Sequence, residues 1–262
     1  MKTDTIKDTI YYHRAYRKET FSKKKVFWES IGLLSPVLLV LFLYPAITLY
    51  ICRFSIFILS KYFINGKIGI LKSHYIFSSL YIASMYSLFH SPLFYLVFFL
   101  FSILALLIMF LFIKTHIFKP VFLYLMYILL INAISSAFFV LVPFKFPYDL
   151  TTFSDLYIKT EVAIWFFIPV ILAMALVPLP SNFFIKFLVS IAVLIYSVIF
   201  GVIRYILFLY ILQKFSFVFM AALFFAFGPL VDFLYIVGIY SYYFSTVAEK
   251  NKNYAGEGQW LY

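Results

Sequence analysis

The chain has 262 residues, of which 65% are hydrophobic, 24% aromatic and 12% charged. Globular domains sit near 45–50% apolar with about 25% charged residues, so this composition excludes an ordinary water-soluble domain and points to a polytopic membrane protein. The 21 lysines and arginines exceed the 10 acids and give a net charge of +11. They flank apolar runs, so anionic headgroups rather than nucleic acid are their expected partners.

Residues 1–30 hold eight Lys and Arg, interleaved with Tyr11, Tyr12, Tyr16, Phe21, Phe27 and Trp28. That mixture predicts a basic segment lying on a cytoplasmic membrane face, not a cleaved leader. Residues 31–247 form the predicted membrane domain, and 248–262 a polar tail. The first apolar run, 31–59, contains Pro36 and Pro45 and ends in the basic stretch 61–73. A short apolar run at 75–89 follows, then comfortable spans at 92–113 and 121–142. Residues 143–161 form the most polar internal stretch, and 162–177 a short span. Residues 183–212 are a long run with Lys186 near its start and Arg204 inside it. The last run, 216–247, is divided at Gly228-Pro229, because proline disfavours helix at the preceding residue and lacks a donor. The expectation is an all-α, polytopic helical bundle with six to eight membrane segments.

Charge counting bears on topology. If 31–59 enters and returns, as a re-entrant hairpin bent at Pro45 or as two short passes, 17 of the 21 basic residues fall on the cytoplasmic side. Only Lys145, Lys159, Arg204 and Lys214 then lie outside, as the positive-inside rule favours. The hairpin at 31–59 is therefore expected. Residues 53–74 and both termini would be cytoplasmic, and 143–161 would face outside.

Arg204 and Asp232 are the charges deepest in apolar surroundings in the C-terminal half. An arginine at the centre of a spanning helix costs about 2.5–3.5 kcal/mol on insertion scales, so it calls for an acidic partner or a wet cavity. The break at Gly228-Pro229 offers a way to bring Asp232 level with Arg204, with Glu161 as a third member. One reading is a polar cleft formed by Arg204, Asp232 and Glu161. The other is a salt bridge that ties helices together.

The four histidines (His13, His74, His90 and His116) lack metal-ligand spacing. No P-loop, H-E-x-x-H or G-x-S-x-G motif is present, so neither a metal nor a cofactor is expected. Cys52 has no base near it in sequence and is read as structural.

The segment 145–244 resembles the exosortase/archaeosortase family of membrane transpeptidases. The shared order is an outer loop, a short span, a proline turn with a basic residue (Pro178-Leu179-Pro180 and Lys186), and a long span with an N-x-x-R motif. Here that motif reads Gly201-Val202-Ile203-Arg204. Members carry a cysteine nucleophile at the start of the short span, which here begins Val162-Ala163-Ile164-Trp165-Phe166. Their third polar residue, usually His or Arg near the start of a later helix, would fall near Pro229–Asp232, where only Asp232 is polar. Of the family's residues only the arginine carries over, with glycine in place of the asparagine. The resemblance implies an exosortase-like protein without the nucleophile: a non-catalytic module for envelope assembly or for handling a lipid or peptide. Its expected partners are membrane lipids and other membrane proteins, in a bacterial cytoplasmic membrane. The alternatives are a structural subunit of a large complex, such as an organelle-encoded respiratory subunit of the mitochondrial inner membrane, and a transporter or lipid-handling enzyme working through Arg204 and Asp232.

Overall fold

The computed structural model describes residues 23–63, 69–84, 91–112, 119–142, 145–179 and 181–254. Most of the basic N-terminal segment and the end of the polar tail lie outside them. In chain order the elements are α1 (Lys23–Ser60), β1 (Gly69–Tyr75), β2 (Ser78–Ser84), α2 (Pro92–Phe112), α3 (Lys119–Leu141), α4 (Leu150–Leu176) and α5 (Phe183–Lys214). A 3₁₀ turn at Phe217–Phe219, the short α6 (Met220–Phe225) and α7 (Pro229–Tyr254) complete the chain. Among the described residues, six helical segments are long and apolar enough to cross a membrane, the sixth running from Phe217 to Glu249. The protein is an all-α polytopic bundle with one small hairpin added.

The hairpin expected at 31–59 does not exist. Residues Lys23–Ser60 form one helix that passes through both prolines. A stretch of that length cannot supply two spans of ~20 residues, and in apolar surroundings a broken helix would strand its backbone groups. Pro36 has no N–H to give to the carbonyl of Gly32, and the Ser35 hydroxyl donates to that carbonyl instead at 2.7 Å. Thr48 and Ser55 also donate back into the helix, to the carbonyls of Pro45 and Ile51.

The run 75–89 is likewise not a span where it is described. β1 and β2 pair antiparallel, from Gly69 opposite Ser84 to Tyr75 opposite Ser78, around a two-residue turn. Ile76 in that turn has φ 56°, an outlying value for a β-branched residue. The two departures cancel in one respect. The expected topology crossed at 75–89 and not at 31–59, whereas α1 is long and apolar enough to cross and residues 75–84 belong to a β-hairpin. With α1 as the span in place of 75–89, the number of crossings before α2 is unchanged, so the sidedness expected from α2 onward would stand and the β1–β2 hairpin would change side.

α4 begins twelve residues before the expected span 162–177, within the stretch read as a loop. Asp149 caps it, accepting from Thr152 N at 2.6 Å and from the Thr152 hydroxyl at 2.5 Å. Further along, Lys159 pairs with Asp155 one turn earlier at 2.6 Å. These polar residues are good helix material once their partners lie on the same face, and Glu161 follows them on the helix. α6 and α7 are separated at Ala226–Gly228, as the sequence predicts. A Cβ on Gly228 would stand 2.3 Å from the carbonyl oxygen of Phe224, so only glycine fits this turn.

The chain divides into two compact units. One comprises Met1–Leu39, Phe167–Leu194 and Tyr235–Tyr262; the other comprises Val40–Phe166 and Ile195–Leu234. Buried Leu33, Leu172 and Leu176 lie in the first, with Ser181 bonded to the Tyr243 hydroxyl at 2.8 Å. The second unit has an aromatic centre in which Tyr157 stacks on Tyr205 with ring centroids 5.5 Å apart. Tyr95 and Phe139 stack at 5.1 Å in the same unit.

Candidate functional site

Within the second unit, α4, α5 and α7 each deliver one charged side chain to the same place. Glu161, Arg204 and Asp232 are 2%, 5% and 1% exposed. Arg204 Nη2 donates to Glu161 Oε1 at 2.5 Å and to both Asp232 oxygens at 2.7 Å. Arg204 Nη1 donates to the carbonyls of Phe227 and Gly228, each at 2.9 Å. The guanidinium carbon also lies over the Phe200 ring at 5.0 Å. The three residues singled out in the sequence are thus brought together, and the helix break takes part through its own carbonyls.

The local chemistry explains the convergence. Breaking the chain before Pro229 leaves the Phe227 carbonyl without a backbone donor among the described residues, whereas the Gly228 carbonyl also accepts from Val231 N at 3.0 Å and Asp232 N at 3.4 Å at the start of α7. Arginine carries five donors in a planar fork and can serve two carbonyls and two carboxylates at once, which lysine cannot. Asp232 lies in the first turn of α7, where the helix dipole favours a negative charge. Glu161 reaches the fork because residue 201, one turn before Arg204, is glycine. A Cβ there would stand 2.7 Å from Glu161 Oε2 and 3.2 Å from its carboxyl carbon.

An aromatic floor borders the cluster. The Tyr157 hydroxyl donates to the Gly201 carbonyl at 3.2 Å. The Tyr205 hydroxyl accepts from Ala83 N of β2 at 3.1 Å and makes a very short bond with the Ser154 hydroxyl. Two buried polar atoms of the cluster, Glu161 Oε2 and Arg204 Nε, have no hydrogen-bond partner among the described residues. One guanidinium against two carboxylates leaves a formal charge of −1 when all are ionised.

The first unit holds a second buried ion pair that the sequence does not single out. Lys186 Nζ donates to Glu29 Oε2 at 2.8 Å and to the Val177 carbonyl at 3.2 Å. Lys186 is 1% exposed and Glu29 8%. In sequence, Lys186 reads as a flanking charge and Glu29 as part of an interfacial segment. The one signal for the pair is a lone acid just before the charge-free run that begins at Ser30.

Cys52 is buried on α1, which supplies none of the residues of the Arg204 cluster. Among the described residues, no grouping of three or more His, Cys, Asp and Glu could hold a metal ion. Comparison with known proteins found no matching family model, no similar curated protein and no similar solved structure.

Proposed function

We propose that this integral membrane protein is a non-catalytic, exosortase-like module of a bacterial cytoplasmic membrane, serving envelope assembly or the holding of a lipid or peptide. The observation that carries the reading is the meeting of Glu161, Arg204 and Asp232. They stand at or beside the three positions that the resemblance marks: the start of the short span, the end of the N-x-x-R motif, and the start of a later helix. Where the family has a thiol at the first position, this chain has Glu161 followed by Val162. Where the family has asparagine in the motif, Gly201 leaves room that the Glu161 carboxylate fills. The two departures are complementary in space.

The arrangement supports a structural use of the arginine. Its two terminal nitrogens serve four groups, two carbonyls and two carboxylates, all from the protein. A carboxylate tied to arginine in this way is a poor nucleophile, and Cys52 lies on a different helix. The test is complementation in a strain lacking the gene, using Cys52→Ala and the apolar triple variant Glu161→Leu/Arg204→Leu/Asp232→Leu. Both should complement at normal protein levels. Failure of Cys52→Ala would reinstate thiol chemistry and overturn the reading.

One observation favours the transporter or lipid-handling alternative. Glu161 Oε2 and Arg204 Nε are buried and unpartnered among the described residues, beside a broken helix, and broken helices commonly form solute sites in transporters. A triple variant that is folded and abundant yet inactive would select that alternative.

A further inference from the structure

The hairpin β1–β2 raises a separate question, independent of how the Arg204 cluster is used. Its tip reaches deep along α1: the Tyr44 hydroxyl donates to the Tyr75 carbonyl at 2.6 Å. Tyr44 lies sixteen residues before the end of α1 at Ser60, roughly 24 Å of helix, and nine residues, roughly 13 Å, before Arg53. The tip of the hairpin therefore lies beside the middle of α1, within the stretch that is long and apolar enough to cross a membrane.

The two edges of this hairpin differ. Tyr75 and Ser78 close a two-residue turn, so the alternation of an antiparallel ladder directs the N–H and C=O groups of Ile70, Lys72 and His74 away from β2. The same alternation points Ala83 N–H outward from β2, and that group does bond to the Tyr205 hydroxyl at 3.1 Å. β2 is the inner strand, with Leu80, Ile82 and Ala83 buried. β1 is largely exposed, and no described strand pairs with its outer edge.

An open sheet edge is not tolerated in hydrocarbon, because each unsatisfied backbone group there costs several kcal/mol. Something polar must cover it. Lipid tails cannot supply hydrogen bonds. Water alone would satisfy the edge but would wet Ile70, Leu71, Ile76 and Phe77, which are 43%, 46%, 51% and 88% exposed. A second copy in the same membrane would run parallel to the first and bring Lys72 beside Lys72, an unfavourable like-charge pair. We infer that the outer edge of β1 binds an extended polypeptide segment of another protein, apolar in alternate positions and carrying an acidic residue opposite Lys72. Such a segment supplies the missing backbone partners, covers the apolar side chains and balances the charge on Lys72.

The test uses the full chain in nanodiscs and three fluorescent heptapeptides: alternating valine and threonine with a central glutamate, the same with a central lysine, and the glutamate peptide with alternate backbone nitrogens methylated. The glutamate peptide should bind saturably, and backbone methylation should weaken it at least tenfold. Lys72→Glu, an exposed change whose folding is checked by size-exclusion, should reverse the preference in favour of the lysine peptide. In parallel, Leu71→Cys on a Cys52→Ser background is exposed to a membrane-impermeant maleimide. Rapid labelling with no peptide binding would mean a water-lined edge and overturn the inference. Neither labelling nor peptide binding would mean that the edge is covered in another way, and would overturn it equally. Peptide binding insensitive to backbone methylation would also defeat it.

Discussion

Arg204 and Lys186 are both buried cations on α5, 5% and 1% exposed, yet the protein surrounds them differently. Lys186 has one carboxylate and one carbonyl, and its pair is formally neutral. Arg204 has two carboxylates and two carbonyls, and its cluster is formally negative. A lysine is a point charge on a flexible stem and suits a single partner, whereas a guanidinium is a rigid fork that joins several groups. The pair ties one helix to another; the cluster ties three helices and a helix break. Charge removal should therefore be graded.

The largest effect is expected at Arg204. Arg204→Leu takes from Glu161 and Asp232 the guanidinium they share, and breaking a buried pair in this way costs about 3–5 kcal/mol. Arg204→Lys keeps the charge but cannot reach all four groups, so it should recover only part of that loss. Thermal unfolding in detergent micelles reads both. A lysine variant as stable as the native protein would show that the fork is unimportant and erase the contrast with Lys186.

Lys186→Leu should cost less, about 1.5–3 kcal/mol, the range for a hydrogen bond to a charged group. Glu29 retains 8% exposure, a route by which its carboxylate can relax. The same unfolding assay applies, and a loss equal to that of Arg204→Leu would contradict the grading.

Gly201→Ala isolates fit from charge. The added methyl would press on the Glu161 carboxylate at 2.7 Å. Overpacking costs about 1–3 kcal/mol, offset by the ~1 kcal/mol gained by replacing glycine in a helix interior. A net loss of about 1 kcal/mol is expected, and a gain in stability would mean that Glu161 is not held against Gly201.

Asp149 offers an exposed carboxylate for comparison. Partial burial raises its pKa, but the hydrogen bonds from Thr152 outweigh that and hold it below the usual carboxylate value. A lowered folded pKa means that its contribution is complete above the unfolded pKa near 3.9. That contribution is lost as pH falls through the lowered folded value. Asp149→Ala should cost about 1 kcal/mol at neutral pH, as for an N-cap. The difference from the native protein should shrink in acid, measured as unfolding midpoint against pH. A difference that grows in acid would contradict the cap.

How much of the fold is legible in the sequence depends on the kind of signal. The break at Gly228-Pro229 is readable because both residues restrict the backbone locally. Arg204 and Asp232 are readable because a charge in an apolar run is costly wherever the fold places it. Pro36 and Pro45 mislead, because a proline removes one donor and Ser35 replaces it by a side-chain bond that spacing alone does not reveal. The hairpin at 69–84 is hidden because β2, with Leu80, Ile82 and Ala83 buried, reads as part of a short apolar run, while most of the exposed β1 falls in the basic stretch 61–73. Glu161 looks like a loop residue because Asp149, Asp155 and Lys159 precede it, yet these are the cap and the one-turn pair of α4. The changed placement of the end of α1 has a direct check. Lys61→Cys on a Cys52→Ser background should label from outside intact cells with an impermeant reagent, and labelling only after permeabilisation would restore the cytoplasmic placement.

Glu161, Arg204 and Asp232 act as one unit, and a charge series probes that unity without intermediaries. It compares the unfolding free energies of Arg204→Leu, the Arg204→Leu/Asp232→Leu double variant and the Glu161→Leu/Arg204→Leu/Asp232→Leu triple variant. Their formal buried charges are −2, −1 and 0, from the two carboxylates left, the one left and none. Stability should rise in that order, with the triple variant recovering most of the loss, because an orphaned buried charge is worse than none. Strictly additive losses, with the triple variant the least stable of the three, would contradict the unit.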